Sequence, residues 1–113
     1  MTFSPYDVVV VPFPFTDARQ SKRRPAAVIS RVRQFNTRAR HCVLAMITSG
    51  SHQRWPLDTD VTNLDAAGLH TPSIVRMKVF TLDHRLILRK IGRLSSTDRC
   101  ALARSLSQLI AVE

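Results

Sequence analysis

Apolar residues fall in short runs along most of this chain and take on a helical period only near its end. Asp7-Val8-Val9-Val10-Val11 lies in a first predicted strand, Tyr6–Val11, and Ala26-Ala27-Val28-Ile29 in a second, Pro25–Val32. His41–Thr48 is apolar through Cys42-Val43-Leu44-Ala45-Met46-Ile47, the signature of a central strand covered on both faces. Trp55, Leu57, Thr59 and Val61 alternate with polar residues, but Pro56 confines that segment to an edge. A turn region over Asp65–Pro72 precedes a strand at Ser73–Leu82, with Arg76 and Lys78 on one face and Met77 and Val79 on the other. Leu86–Leu94 reads as a further strand. Ser95-Ser96-Thr97-Asp98 then resembles a capping box, and Leu102, Leu106, Leu109 and Ile110 follow at helical spacing. The pattern predicts a mainly β fold, a small twisted barrel with a C-terminal α-helix, as one domain over residues 1–113.

Charge adds a direction to this frame. The chain has 17 Lys+Arg against 8 Asp+Glu, a net charge of +9. The excess is concentrated: from Ala18 to Leu57 there is no acidic residue, while Arg19, Lys22, Arg23, Arg24, Arg31, Arg33, Arg38, Arg40 and Arg54 all fall there. Such a stretch implies a polyanion or an acidic protein as partner, and its preference for arginine suits planar contacts to phosphates and bases. An arginine-rich composition with a solvated basic face is the plainer explanation. The N-terminal residues lack a basic start followed by an apolar core, and no apolar run reaches the roughly 20 residues that span a bilayer. A cytoplasmic protein without membrane association is expected. Cys42 and Cys100 sit in apolar patterns and are expected to be buried small hydrophobes rather than a disulfide or metal pair.

Two clusters carry possible chemistry. Pro25 fixes its own φ and pushes Arg24 toward an extended conformation, so the guanidinium stands at the mouth of a strand beside Lys22 and Arg23. A fixed cation of that kind is suited to phosphate. Thr48-Ser49-Gly50-Ser51 places hydroxyls where the central strand runs out into a loop, although the same residues also favour turns. His41, His52, His70 and His84 have no metal-like spacing. His52 is the one close to Thr48 and so a candidate helper in catalysis.

At these residues the chain resembles the MazF/PemK toxin family. The resemblance rests on Asp7-Val8-Val9-Val10-Val11-Pro12-Phe13-Pro14-Phe15-Thr16-Asp17 and on Lys22-Arg23-Arg24-Pro25-Ala26-Ala27-Val28-Ile29-Ser30. Ile47-Thr48-Ser49, Gly68-Leu69, Pro72-Ser73, Thr81-Leu82-Asp83 and Ile91-Gly92-Arg93-Leu94 follow in the family's order. It implies an SH3-like barrel of the CcdB/PemK type, a homodimer, and a toxin neutralised by a cognate antitoxin. It also implies a metal-independent endoribonuclease, without cofactor, that cuts single-stranded RNA through the RNA's own 2′-OH. By that resemblance Arg24 and Thr48 are catalytic, with the adjoining Ser49 a further catalytic candidate. Phe15, Asp17, Lys22, Arg23, Trp55, Arg76 and Lys78 are candidate RNA contacts, although Phe15 and Trp55 equally suit a core or dimer role and Arg76 and Lys78 a solvated strand face. Guanidinium groups stay protonated in proteins, so Arg24 suits the role of an electrostatic clamp better than that of a base.

The chain departs from the family in places. Members commonly begin Gly-Asp where this sequence has Tyr6-Asp7, a difference expected to affect only the strand entry. Some carry a histidine in the first loop and an aspartate after the Pro-Ser motif; Pro12–Arg23 holds no histidine, and the later strand reads Val75-Arg76-Met77-Lys78. The alternatives are a non-enzymatic gyrase poison resembling CcdB and a small basic nucleic-acid-binding barrel. The CcdB type relies on a C-terminal Trp and Ile, whereas Leu109-Ile110-Ala111-Val112-Glu113 contains no Trp.

Overall fold

The computed structural model describes residues 2–13, 22–51 and 53–112. Strands β1 (Asp7–Phe13), β2 (Lys22–Val28), β3 (His41–Ser49), β4 (Thr59–Asp60), β5 (Ser73–Asp83) and β6 (Arg89–Arg93) form one sheet in the order β4-β5-β3-β2-β1-β6. Every neighbouring pair is antiparallel. The sheet is curled into half a barrel, with β4 and β6 left as edges. A π-helical turn, Val32–Asn36, runs straight into α1 (Thr37–Ala39); α2 (Leu64–Ala67) packs on β6, and the C-terminal helix α3 (Ser96–Leu109) on β4.

Both faces of the sheet are buried, which is why β1 and β3 are apolar without alternation. Val9, Val11, Ala26, Leu44 and Met46 pack into one cluster with Phe3 and Ile87. Val8, Ala27, Ala45, Ile47 and Val75 pack into the other, where Leu102 of α3 and Ala67 of α2 close over them. Burying such aliphatic side chains is worth roughly 1.5–3 kcal/mol each, so these two clusters dominate the fold's stability.

Several expected boundaries move, each for a local reason. Strand β2 begins at Lys22 and ends at Val28, because the Ser30 hydroxyl is taken up by the side chain of Asn36 and by the Val43 N–H. Asn36 is buried and its Nδ2 donates to the carbonyls of Phe3 and Ser30, so the chain coils there instead of extending to Val32. The predicted edge strand around Trp55–Val61 shrinks to Thr59–Asp60, since residues 55–58 form a turn with Leu57 at φ 67°. His84–Leu86 is a 3₁₀ turn, so β6 starts at Arg89. Cys42 is buried as expected, whereas Cys100 is exposed on α3, where Leu102 is the one apolar residue fully buried and Leu109 and, just past the helix, Ile110 are in the open.

Tyr6 adopts φ 73°, the left-handed region that glycine enters without strain. It is the position at which the family that the sequence resembles commonly has Gly. Here the conformation is held by the Tyr6 N–H donating to Val28 O and the Leu94 N–H donating to Tyr6 O.

Candidate active site

Pro25 creates the site by ending a ladder. Strands β2 and β3 pair as Val28↔Leu44, Ala27↔Ala45 and Ala26↔Met46, and the pairing stops there. Ile29 donates its N–H toward β3, to Val43 O, and the Val28 carbonyl accepts from Tyr6 on the other side. Alternation along β2 therefore turns the backbone of residue 25 toward β3, and proline has no N–H to offer. Beyond Ala26 the two strands are unpaired. Extending their register by two residues sets Arg24 across from Thr48.

That gap is the mouth of a cavity of about 240 Å³, lined by Phe13, Arg24, Met46, Ile47, Thr48, Arg76 and Lys78. Strand alternation explains most of the list. Phe13, Val11 and Arg24 share a face across the β1–β2 ladder, where Val11 opposes Arg24 and Phe13 opposes Lys22. Arg76 and Lys78 reach the same space from β5, within an irregularity where three residues, 76–78, face Met46 alone. The lining thus brings two guanidiniums, one ammonium and one hydroxyl together over an apolar floor, with no carboxylate or imidazole among the described residues that form it. Chemically, it is a site for an anionic group.

The cations are not equivalent. Arg76 is buried and pairs with Asp58: its Nη2 lies 2.9 Å from Asp58 Oδ2, and Nε donates to Oδ1 at 3.2 Å. The same Nη2 donates to Gln53 O at 2.6 Å. Burial favours the neutral carboxyl of Asp58, but hydrogen bonds from Arg76 and the Trp55 N–H, with the charges of Arg76 and Arg54, outweigh it and hold Asp58 below the usual carboxylate range. The Trp55 ring sits against this pair, 4.9 Å from the Arg76 guanidinium carbon and 5.5 Å from Lys78 Nζ.

The structure therefore brings Arg24, Thr48, Arg76 and Lys78 together, with Trp55 one contact away. Ser49 is not brought in: it follows Thr48 on the opposite face of β3, is exposed, and hydrogen-bonds Ser51 Oγ at 2.9 Å. Lys22 and Arg23 are exposed at the start of β2, with Lys22 on the Arg24 face and Arg23 on the other. Phe15, Asp17, Arg19 and His52 lie outside the described residues. Among the described residues no group of three His, Cys, Asp or Glu side chains could hold a metal ion. Asp58 is absent from the sequence reading, although it is the first acid after the acid-free stretch that ends at Leu57.

A model of the PemK-like, MazF-like toxins of type II toxin–antitoxin systems matches residues 4–110. The chain belongs to that family. No curated protein sequence matches it. The MazF-like fold is shared with solved structures: the chain is similar to Mycobacterium tuberculosis toxin MazF-mt6 at TM-score 0.71 and 20% identity, over 90% of this chain and 93% of that one. It is also similar to an endoribonuclease from a mycobacterial species in complex with its cognate antitoxin, at TM-score 0.74 and 12% identity, over 94% and 92% of the two chains. For the MazE–MazF complex (Form-II) of Deinococcus radiodurans the TM-score is 0.73 at 16% identity, over 100% and 99%.

Proposed function

We propose that this MazF/PemK-type toxin is an endoribonuclease that cleaves single-stranded RNA at the gap between β2 and β3, using side chains where other nucleases use a metal. The observation that carries the reading is the placement of Arg24 across from Thr48 in a cavity that also holds Lys78. In this reaction the 2′-oxygen of the RNA attacks the adjacent phosphorus. The new P–O2′ bond closes a 2′,3′-cyclic phosphate, the P–O5′ bond breaks, and the leaving oxygen takes up a proton to become a 5′-OH. Negative charge grows on the non-bridging oxygens as the transition state forms, where a preplaced guanidinium and a hydroxyl donor stabilise it most. Arg24 is the clamp and Thr48 the donor. The described residues of the lining include no carboxylate or imidazole to take the 2′-OH proton.

Lys78 on β5 and Lys22 at the open end of β2 serve the flanking phosphates, with Phe15, Asp17 and Arg23 as further RNA contacts away from the cleaved phosphate. The resemblance to antitoxin-bound structures supports a cognate antitoxin as partner, and a basic groove fits an acidic antitoxin segment. We further infer one domain, a homodimer and a cytoplasmic site of action. The test is incubation of the purified protein with a long RNA in EDTA, followed by mapping of the 5′ ends. Discrete cuts with 5′-OH termini, lost in Arg24→Ala with the fold intact, support the reading. Intact RNA, or unchanged cutting by the variant, overturns it.

A further inference from the structure

Arg76 is the most constrained cation of the site and the least available to a ligand. Its side chain is 9% exposed, its partner Asp58 3%, and three of its hydrogen bonds go to Asp58 and Gln53. Those two partners bracket residues 53–58, so one guanidinium ties the whole turn to β5. Within the turn the Trp55 N–H donates to Asp58 Oδ2 and the Asp58 N–H to Trp55 O. Leu57 is held at φ 67°, a conformation that non-glycine residues keep only where the surroundings enforce it. The result is an indole standing over Arg76 and Lys78 and still 43% exposed, a large apolar surface left in the open beside a cationic cavity. Both cations reach the ring from β5, so the uncovered part faces away from the strand.

Building on the ribonuclease reading above, we propose that Trp55 is a stacking platform for one unpaired base next to the cleaved phosphate, and that Asp58 and Arg76 are positioning residues that hold it there. The chemistry is that of single-strand recognition elsewhere, in which an aromatic face takes the base while neighbouring cations follow the backbone. The cations beneath the ring withdraw electron density from it, favouring an electron-rich base on the open side. On this assignment Lys78 meets phosphate, whereas Arg76 meets only protein.

Trp55 is the only tryptophan in the chain, so the platform reports on itself. The experiment titrates the protein with a short single-stranded 2′-O-methyl oligoribonucleotide, which binds but lacks the attacking hydroxyl, while intrinsic fluorescence is followed. Steady-state cleavage of the unmodified RNA is measured in parallel. Stacking predicts quenching on binding. It also predicts that Trp55→Leu raises KM roughly ten-fold while kcat holds, and that Trp55→Phe recovers part of the loss. Asp58→Asn decides the role of Arg76 by the sign of its effect. If Arg76 holds the platform, the variant weakens binding and adds little to Trp55→Leu in the double mutant. If Arg76 instead contacts RNA, freeing it from Asp58 strengthens binding, and the positioning role is overturned. Should Asp58→Asn fail to fold, Arg76→Lys takes its place: it keeps the charge but not the forked hydrogen bonds, and the positioning role again predicts a raised KM without a loss of kcat. Cleavage with no quenching and an unmoved KM in Trp55→Leu sinks the platform and spares the nuclease. Quenching without any cleavage sinks the nuclease and leaves a base-stacking binder.

Discussion

The thiol of Cys42 is fully buried, 3.2 Å from His84 Nε2, whereas Cys100 is exposed on the outer side of α3. Burial, then the negative charge of Asp7, pushes the Cys42 thiol up to about 11, so it stays protonated and inert at ordinary pH. Native protein treated with iodoacetamide near pH 8 is expected to take up one adduct by mass spectrometry, at Cys100, and a second only after denaturation. Rapid labelling of Cys42 in the native state contradicts the packing described here. Arg24 poses the opposite case, an exposed group whose value lies in its placement. Arg24→Ala is expected to lower kcat by about 10²–10³, the scale for removing one transition-state donor, and to leave the thermal midpoint within a degree or two. Arg24→Lys is expected to recover only part, since an ammonium lacks the fork that grips two phosphoryl oxygens. A kcat unchanged in Arg24→Ala removes this residue from the reaction. Arg24 and Thr48 were legible in the sequence because a proline and a strand end are local signals. Asp58 was not, since its meaning comes from Arg76, eighteen residues away on another strand. Cys100 misled because an apolar run does not say which of its members faces outward.

Helix α3 is tied to the segment entering α2 by one buried carboxylate. Asp98 is buried, and its carboxylate accepts from the Thr62 N–H and Oγ1–H and from the Asn63 N–H. Ser95 Oγ caps the Asp98 N–H, as the sequence pattern predicts, but the acid turns across to the α2 entry instead of back to its own cap. Burial works against the charged form of Asp98. The hydrogen bonds from Thr62, Asn63 and Ser95 overcome it and hold the carboxyl below its ordinary range. A depressed folded-state pKa contributes stability above the unfolded value of about 3.9, lost as pH falls through the lower folded value. Asp98→Ala is therefore expected to cost about 2–4 kcal/mol in urea melts at pH 7, and the gap from wild type is expected to narrow below about pH 4. Gly92 makes a similar point by contact. A Cβ there would lie 2.4 Å from the Ala67 carbonyl carbon and 2.5 Å from Ala66 O, so β6 and α2 meet backbone to backbone. Gly92→Ala is expected to separate them and lower stability by several kcal/mol, an effect that a neutral melt would disprove. The strands were readable from their apolar runs. The edge position of β4 was readable from Pro56; that β6, packed against α2, forms the other edge was not, because no local pattern encodes that contact.

At the scale of the molecule, the acid-free stretch does not fold into one patch. Lys22, Arg23 and Arg24 stand at the start of β2. Arg31, Arg33, Arg38 and Arg40 lie past its other end, and the four residue steps from Arg24 to Val28 alone separate the groups by roughly 13 Å. Of the second group Arg40 lines a larger hollow of about 880 Å³, with His41 and Arg85, far along the sheet from Thr48. A net charge of +9 attracts polyanions to the whole surface; on the proposed nuclease reading, only phosphates near the gap between β2 and β3 enter the site. Counting Lys22, Arg24 and Lys78 as the phosphate contacts, log K for a 2′-O-methyl oligonucleotide is expected to fall with log salt at a slope of roughly −2, about −0.7 per contact on single strands. Lys78→Ala or Lys22→Ala is then expected to flatten the slope by about 0.7. Arg38→Ala and Arg40→Ala are expected to leave the slope unchanged while slowing association, because charges outside the footprint steer without releasing counterions. Equal flattening by both pairs of variants would mean that the bound strand runs the length of the sheet, and that the site extends to the far basic end.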